Sequence, residues 1–179
     1  MLGLATLQLR ATHLSWINGQ VDDPTDQCAH GKVELTVDES ILIEPGEAEF
    51  TLSAAGLYLL RAIEDDHTPE SSVCEGNWLF PCCGFDVFAD GGRYKVACIG
   101  CNTGTDIFVR HQGNSVVLSA GERLYTVSLT EWRASVLGFV AQVDAFYAAC
   151  TPKVDPEDPA WSSFWAEWHE RKLRAASEA

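Results

Sequence analysis

Apolar and polar positions alternate through the first half of the chain and switch to a helical period in its last third. Val33-Glu34-Leu35-Thr36-Val37 alternates cleanly, which is the period of a half-buried strand. Leu7 and Leu9 alternate with Gln8 and Arg10, predicting an extended segment within Leu4 to Trp16, and Asn18-Gly19 turns the chain. Ser40 to Ile43 returns after Asp38-Glu39 as the second arm of a hairpin. Pro45-Gly46 turns again before a short strand at Glu49 to Leu52. Leu57, Leu60 and Ile63 then fall at helical spacing behind Ser53, a suitable N-cap, so a helix is predicted near 53–65. Five short extended pieces follow: Asp86 to Phe88, Tyr94 to Ile99, Asp106 to His111, Ser115 to Leu118 and Leu124 to Val127. The turn residues Asp90-Gly91-Gly92, Asn102-Thr103-Gly104 and Gln112-Gly113-Asn114 separate them. Turns this closely spaced predict an antiparallel meander rather than βαβ units.

Two stronger helical signals close the chain. Ser128 and Glu131 form an S-x-x-E capping box. Behind it Trp132, Val136, Phe139, Val140, Val143, Phe146 and Tyr147 make an apolar stripe, predicting a helix over 130–149 that ends before Thr151-Pro152. Gly138 weakens that helix by roughly 1 kcal/mol relative to alanine unless close packing requires it. Asp158 then caps a helix over 159–174 with Pro159 in its first position, and Arg171, Lys172 and Arg174 suit the dipole at its end. Trp161, Phe164, Trp165 and Trp168 share one face of it, to close the core or to dock a partner. The predicted class is α+β: a mainly antiparallel sheet of about six to eight strands covered by about three helices. Residues 1–152 form one domain, and 153–179 form a linker and an aromatic-rich helix packed on it or appended to it.

Length and composition leave this picture intact. The chain has 179 residues, 46% of them hydrophobic, which suits one globular domain. Charge adds an asymmetry to the formal −14. Met1 to Asp90 carries 16 acids and 3 bases, whereas Gly91 to Ala179 carries 10 acids and 9 bases. Such a surface repels nucleic-acid phosphate and anionic membranes, and it serves solubility or a basic protein partner. Asp22, Asp23, Glu64, Asp65, Asp66 and Glu70 are the candidate contact acids. Glu64, Asp65 and Asp66 have the wrong sign for a helix C-terminus, at a cost of a few tenths of a kcal/mol, which is either the mark of something else that fixed the sequence there or chance. No basic region precedes Met1-Leu2-Gly3-Leu4, and no apolar run approaches the roughly 18 residues of a membrane span. A cytoplasmic chain with reduced cysteines is expected.

Candidate chemistry is sparse. The metal-ligating candidates are Cys28, His30, Cys82, Cys83, Cys98 and Cys101. Against a zinc site, Cys82 and Cys83 are adjacent, so their side chains diverge. Cys98-Ile99-Gly100-Cys101 leads into a turn rather than the helix that a redox CxxC needs. The five histidines include no H-E-x-x-H pair. No G-x-S-x-G elbow or phosphate loop occurs, and a carboxylate pair among 26 acids has no specificity. No cofactor is expected beyond that zinc alternative, and an enzyme could only be built from scattered residues.

Five pieces carry a family resemblance: Asp26-Gln27-Cys28-Ala29-His30-Gly31, Ser53-Ala54-Ala55 with Leu59-Leu60-Arg61, Phe80-Pro81-Cys82-Cys83-Gly84, Gly100-Cys101-Asn102-Thr103-Gly104-Thr105-Asp106, and Phe164-Trp165-Ala166-Glu167-Trp168. Together they resemble a family of small bacterial proteins similar to the immunity proteins encoded beside polymorphic toxins. In that pattern a histidine follows the Cys-Cys-Gly; this chain has Phe85, which weakens the metal alternative. The resemblance implies a non-enzymatic protein that occludes a basic toxin, and it brings no catalytic residues.

Overall fold

The computed structural model describes residues 5–44, 46, 48–74, 76–82, 85–89, 92–154 and 158–177. The class is α+β, with three helices and antiparallel strand pairs among these residues. The strands are β1 (Leu7–Ser15), β2 (His30–Val37), β3 (Ser40–Ile43), β4 (Phe50–Thr51), β5 (Phe80–Pro81), β6 (Phe85–Ala89), β7 (Val96–Gly100), β8 (Gly104–Thr105), β9 (Phe108–Gln112), β10 (Ser115–Ala120) and β11 (Arg123–Ser128). The helices are α1 (Leu52–Arg61), α2 (Leu129–Ala148) and α3 (Pro159–Ser177).

Among the described residues the antiparallel strands are divided among several sheets. β1-β2-β3 with β4 makes a four-stranded sheet, β11-β10-β9 a three-stranded meander, and β5-β8 and β6-β7 two ribbons. The break follows from α1, which sits among these pieces rather than on top of them. Every residue from Leu52 to Arg61 is buried, so the helix is covered on all sides. Its N-cap is Thr51, without a side-chain cap bond, rather than Ser53, which is buried inside the first turn.

α2 begins at the predicted cap, where the Ser128 hydroxyl accepts the Glu131 N–H at 3.0 Å. The reciprocal half of the capping box is diverted. Glu131 Oε1 accepts the Leu7 N–H (2.8 Å), and Gln142 Oε1 accepts the Ala11 N–H (2.7 Å). Two side chains of α2 thereby satisfy the unpaired edge of β1, groups that would otherwise be costly to cover. Trp132, Val136, Phe139, Val140 and Val143 supply the buried stripe, and Gly138 meets only open space, so no close packing explains it.

α3 is part of the core. Trp168 is fully buried, its Nε1–H donates to Asp144 at 3.0 Å, and its ring lies where a β-carbon on Gly56 would be. Beside it Glu167 takes two bonds from Arg61 (2.8 and 3.0 Å), one from Arg171 (2.8 Å) and one from the Lys95 N–H (3.0 Å). Arg61, 1% exposed, also donates to the Val73 and Val96 carbonyls (2.9 and 2.8 Å), and its guanidinium lies 4.0 Å from the Tyr94 ring centroid. Burial would raise the Glu167 carboxyl, but the two guanidinia outweigh it and hold the pKa below its ordinary value. The expected turns at Pro45 and at Asp90-Gly91, and linker residues 155–157, lie outside the described residues.

Candidate functional site

Four of the five sequence pieces that carry the resemblance meet at one corner. β2 starts there, with His30 opposite Thr51 and Gly31 opposite Phe50. Gly31 is required by close approach: a β-carbon would stand 2.7 Å from Leu52 Cδ1 and 2.8 Å from the Thr12 carbonyl oxygen. Across the corner Phe80 pairs with Thr105 and Pro81 with Gly104. The Thr51 hydroxyl donates to the Cys82 carbonyl (2.7 Å), the Cys82 N–H donates to Thr103 (3.1 Å), and the Phe50 and Phe80 rings meet edge to face at 6.1 Å.

An open cleft runs along this corner as two adjoining hollows of about 250 and about 300 Å³, which share Ala48, Phe50 and Thr105. Leu42 and Ile43 line the first hollow and Cys82, Thr103 and Gly104 the second. Glu44 lines the first and Glu49 the second. Both carboxylates are exposed, and neither forms an ion pair among the described residues. Lys32 on β2 places its amine on the Gly46 carbonyl at 3.0 Å.

The acids singled out from sequence are placed differently. Asp22 is bonded to Lys153 Nζ (2.7 Å) and the Thr151 N–H, and these contacts lower its pKa. Asp23 accepts the Thr25 N–H and hydroxyl, with the same effect. Glu64 binds Arg171 and Arg174, Asp65 binds Arg93 and the Tyr94 hydroxyl, and Asp66 accepts the His111 N–H and faces its Nδ1 at 2.9 Å. His111 on β9, together with arginines from the 93–95 segment and α3, therefore answers the acids at 64–66 that oppose their own helix. Glu70 is exposed and forms no ion pair among the described residues.

The metal-ligating candidates are spread through the corner. Cys28 is half-buried, and burial, with Asp26 and Cys98 nearby, pushes its thiol up to about 12. His30 is buried with Nε2 unpartnered; burial lowers its pKa against the opposing pull of Asp26 and Glu49. Cys98 is buried and its carbonyl accepts the Tyr58 hydroxyl at 3.1 Å. Cys82 lines the cleft, and Cys101 Sγ lies 3.0 Å from the Thr103 hydroxyl. Cys83 lies outside the described residues. Among the described residues no three His, Cys, Asp or Glu side chains converge as a metal site. Burial also pushes the Cys74 thiol up to about 12. At pH 8, iodoacetamide is therefore expected to label half-buried Cys101 well before Cys28 or Cys74, as read by peptide mass spectrometry.

A cluster that sequence reasoning missed lies on the other side of α1. His67, 1% exposed, places Nε2 2.8 Å from Asp106 Oδ1, and its Nδ1 faces the Val73 N–H (3.3 Å), Ser72 Oγ (3.4 Å) and Cys74 Sγ (3.9 Å). Hydroxyl, imidazole and carboxylate in that order invite comparison with a hydrolytic triad. The Val73 N–H can only donate, which makes Nδ1 the acceptor and puts the ring proton on Nε2, toward Asp106. Asp106 also accepts the Leu79 N–H at 3.0 Å, and the His67 backbone bonds Val109 in both directions. The histidine therefore staples the 67–79 loop to β9. Asp106, at the end of the Thr-Gly-Thr-Asp piece, was its visible half in the sequence.

Gly104 ties the cleft to this loop. A β-carbon there would fall 2.5 Å from the Phe80 carbonyl oxygen and 2.8 Å from the Trp78 side chain. Gly104→Ala is expected to cost about 1–3 kcal/mol in urea unfolding. Gly113→Ala meets only the cost of its positive φ, because nothing lies within 4 Å.

Comparison of the chain with protein-family models, curated proteins and solved structures finds no match.

Proposed function

We propose that this chain is a non-enzymatic acidic binding protein, and that a basic segment of its protein partner lodges in the cleft between β3 and β8. The observation that carries the reading is the contrast in acid pairing. Five of the six acids first singled out are engaged within the chain, whereas Glu44 and Glu49 stand exposed in the cleft without an ion pair among the described residues. Phe50, Leu42 and Ile43 give the cleft an apolar side against which the stem of a lysine or arginine packs, leaving its charge to the two carboxylates. Long-range attraction between the net charge of −14 and a basic partner speeds encounter, and the cleft supplies the fixed contact.

Of the partners this chemistry admits, a basic toxin encoded beside the chain fits best, which makes the chain its immunity protein. The resemblance supports that choice, because two of the pieces that carry it line the cleft, one through Cys82 and one through Thr103, Gly104 and Thr105. The test is co-expression with the product of the adjacent gene. Growth should be restored by the wild-type chain and not by a soluble Glu44→Lys/Glu49→Lys variant. Equal protection by both, or none from the wild type, overturns the reading.

A further inference from the structure

The three-stranded meander is the part of this acidic chain from which acid is missing. Ile107 to Thr130 holds one acid, Glu122, against Arg110 and Arg123, in a chain of 26 acids. Strand register sorts the side chains. Val109, Val116, Leu118 and Val127 point into the core and are fully buried. The opposite face carries cross-strand rows: Phe108, Ser119 and Leu124 in one, Arg110, Val117 and Thr126 in the next. Ser119, flanked by the larger Phe108 and Leu124, and Val117 beside Arg110 leave a trough of about 310 Å³, closed at the β9 side by Thr68 and Pro69. That is the lower end of the size range of small-molecule sites.

Three features of the trough point to its occupant. No acid lines it. Arg110, exposed in its wall, has no ion pair among the described residues, as is also the case for exposed Arg10 and Arg123, while Arg61, Arg93, Arg171 and Arg174 each have at least one. The charge of nearby Asp66 is felt by Arg110, but its carboxylate oxygen is held by the His111 N–H and faces the His111 ring nitrogen rather than forming an ion pair with the guanidinium. The rest of the wall is divided. Gln112 and the hydroxyls of Thr68 and Ser119 are polar, and Phe108, Val117 and Leu124 are apolar, with Leu124 68% exposed.

We propose that this trough binds a small apolar carboxylic acid. Its carboxylate sits on the Arg110 guanidinium, which presents two parallel N–H donors to a carboxylate, and its apolar body covers Val117, Phe108 and Leu124. The site is independent of the acidic cleft and does not require a protein partner.

The experiment is an NMR titration of the full chain with 4-phenylbutyrate, its neutral amide, and the tripeptide Gly-Gly-Phe as the free acid. Saturable shifts confined to β9, β10 and β11 are expected with 4-phenylbutyrate. Affinity should fall about tenfold for the amide and in Arg110→Leu, the loss of one charge-assisted contact. Val117→Glu, which puts a carboxylate into the trough, should abolish binding, and Arg123→Leu, which lies off this face, should leave it unchanged. The proposal is overturned if 4-phenylbutyrate does not saturate, if the amide or Arg110→Leu binds as well, or if the shifts map elsewhere. Binding of the tripeptide without 4-phenylbutyrate overturns it as well, in favour of a chain terminus.

Discussion

Glu167→Ala is expected to destabilise the chain by about 3–5 kcal/mol, the usual cost of removing one partner from a buried ion pair. The size follows from what is left behind. Arg61 keeps its two carbonyl bonds to Val73 and Val96 but loses both bonds to the carboxylate, inside a site that is 1% exposed. Arg171 loses the same acid, and the Lys95 N–H loses its acceptor. Glu167→Gln keeps the shape and one acceptor oxygen and should lose less. The pKa of Glu167 is lowered in the folded chain, so its contribution is fully present above the unfolded value near 4.5. That contribution is lost as the pH falls through the lower folded value. His30, also lowered, contributes stability above its unfolded value near 6.5, which is lost as the pH falls toward its folded pKa. Urea midpoints should therefore decline first below about pH 6.5 and again below about pH 4.5, with the second decline smaller in Glu167→Ala, where the lowered carboxyls of Asp22, Asp23 and Asp66 still contribute. A midpoint that is flat down to pH 4 contradicts both assignments.

Trp168→Ala is expected to cost about 3–5 kcal/mol, as for other large aromatic truncations in cores. Its ring is fully buried, stacks with Phe164 at 6.2 Å, meets Trp165 at 5.6 Å and fills the space over Gly56. The truncation leaves a cavity between α1 and α3 and strips Asp144 of the indole N–H, though Lys172 still holds that carboxylate at 2.7 Å. Because Trp168 joins α3 to the central helix, the whole chain should unfold in one transition at a lower midpoint. An early separate loss of α3 with the remaining transition unmoved would instead make α3 an appendage. Circular dichroism in the near and far ultraviolet separates the two outcomes.

What could be read from sequence is what local chemistry decides. The starts of α2 and α3 were visible because Ser128 and Asp158 supply their own caps, and the buried stripe of α2 follows the 3.6-residue period. The β9-β10-β11 meander was visible because its turns are short and local. α1 was only half legible. Its apolar spacing marks a helix, but an all-round buried helix has no polar face to fix its ends, and Ser53 has the chemistry of a cap while Thr51 holds the position. The division of the strands into separate sheets depends on pairings such as β2 with β4 and β5 with β8, which no local pattern encodes. The same holds for charge. Glu64, Asp65 and Asp66 read as an unexplained cost at a helix end, and the explanation lies far along the chain, in Arg93, His111, Arg171 and Arg174. Arg61 and Glu167 look like surface charges in sequence, and only the packing of α3 on α1 makes them a buried pair. Glu44 and Glu49 were passed over because the sequence cannot show which acids remain without a partner.

The central claim is that the carboxylates of the β3–β8 cleft receive a basic partner. Stopped-flow association of the chain with the basic product of the adjacent gene tests it most directly. Wild type and Glu44→Lys/Glu49→Lys would be compared at about 50 and about 300 mM salt, across which surface charge is progressively screened. The account predicts that salt slows wild-type association and that the double variant loses at least about tenfold in affinity at low salt. Charge reversal at exposed Glu70, outside the cleft, should change little. Association that is insensitive to salt, or equally tight in the double variant, would contradict it.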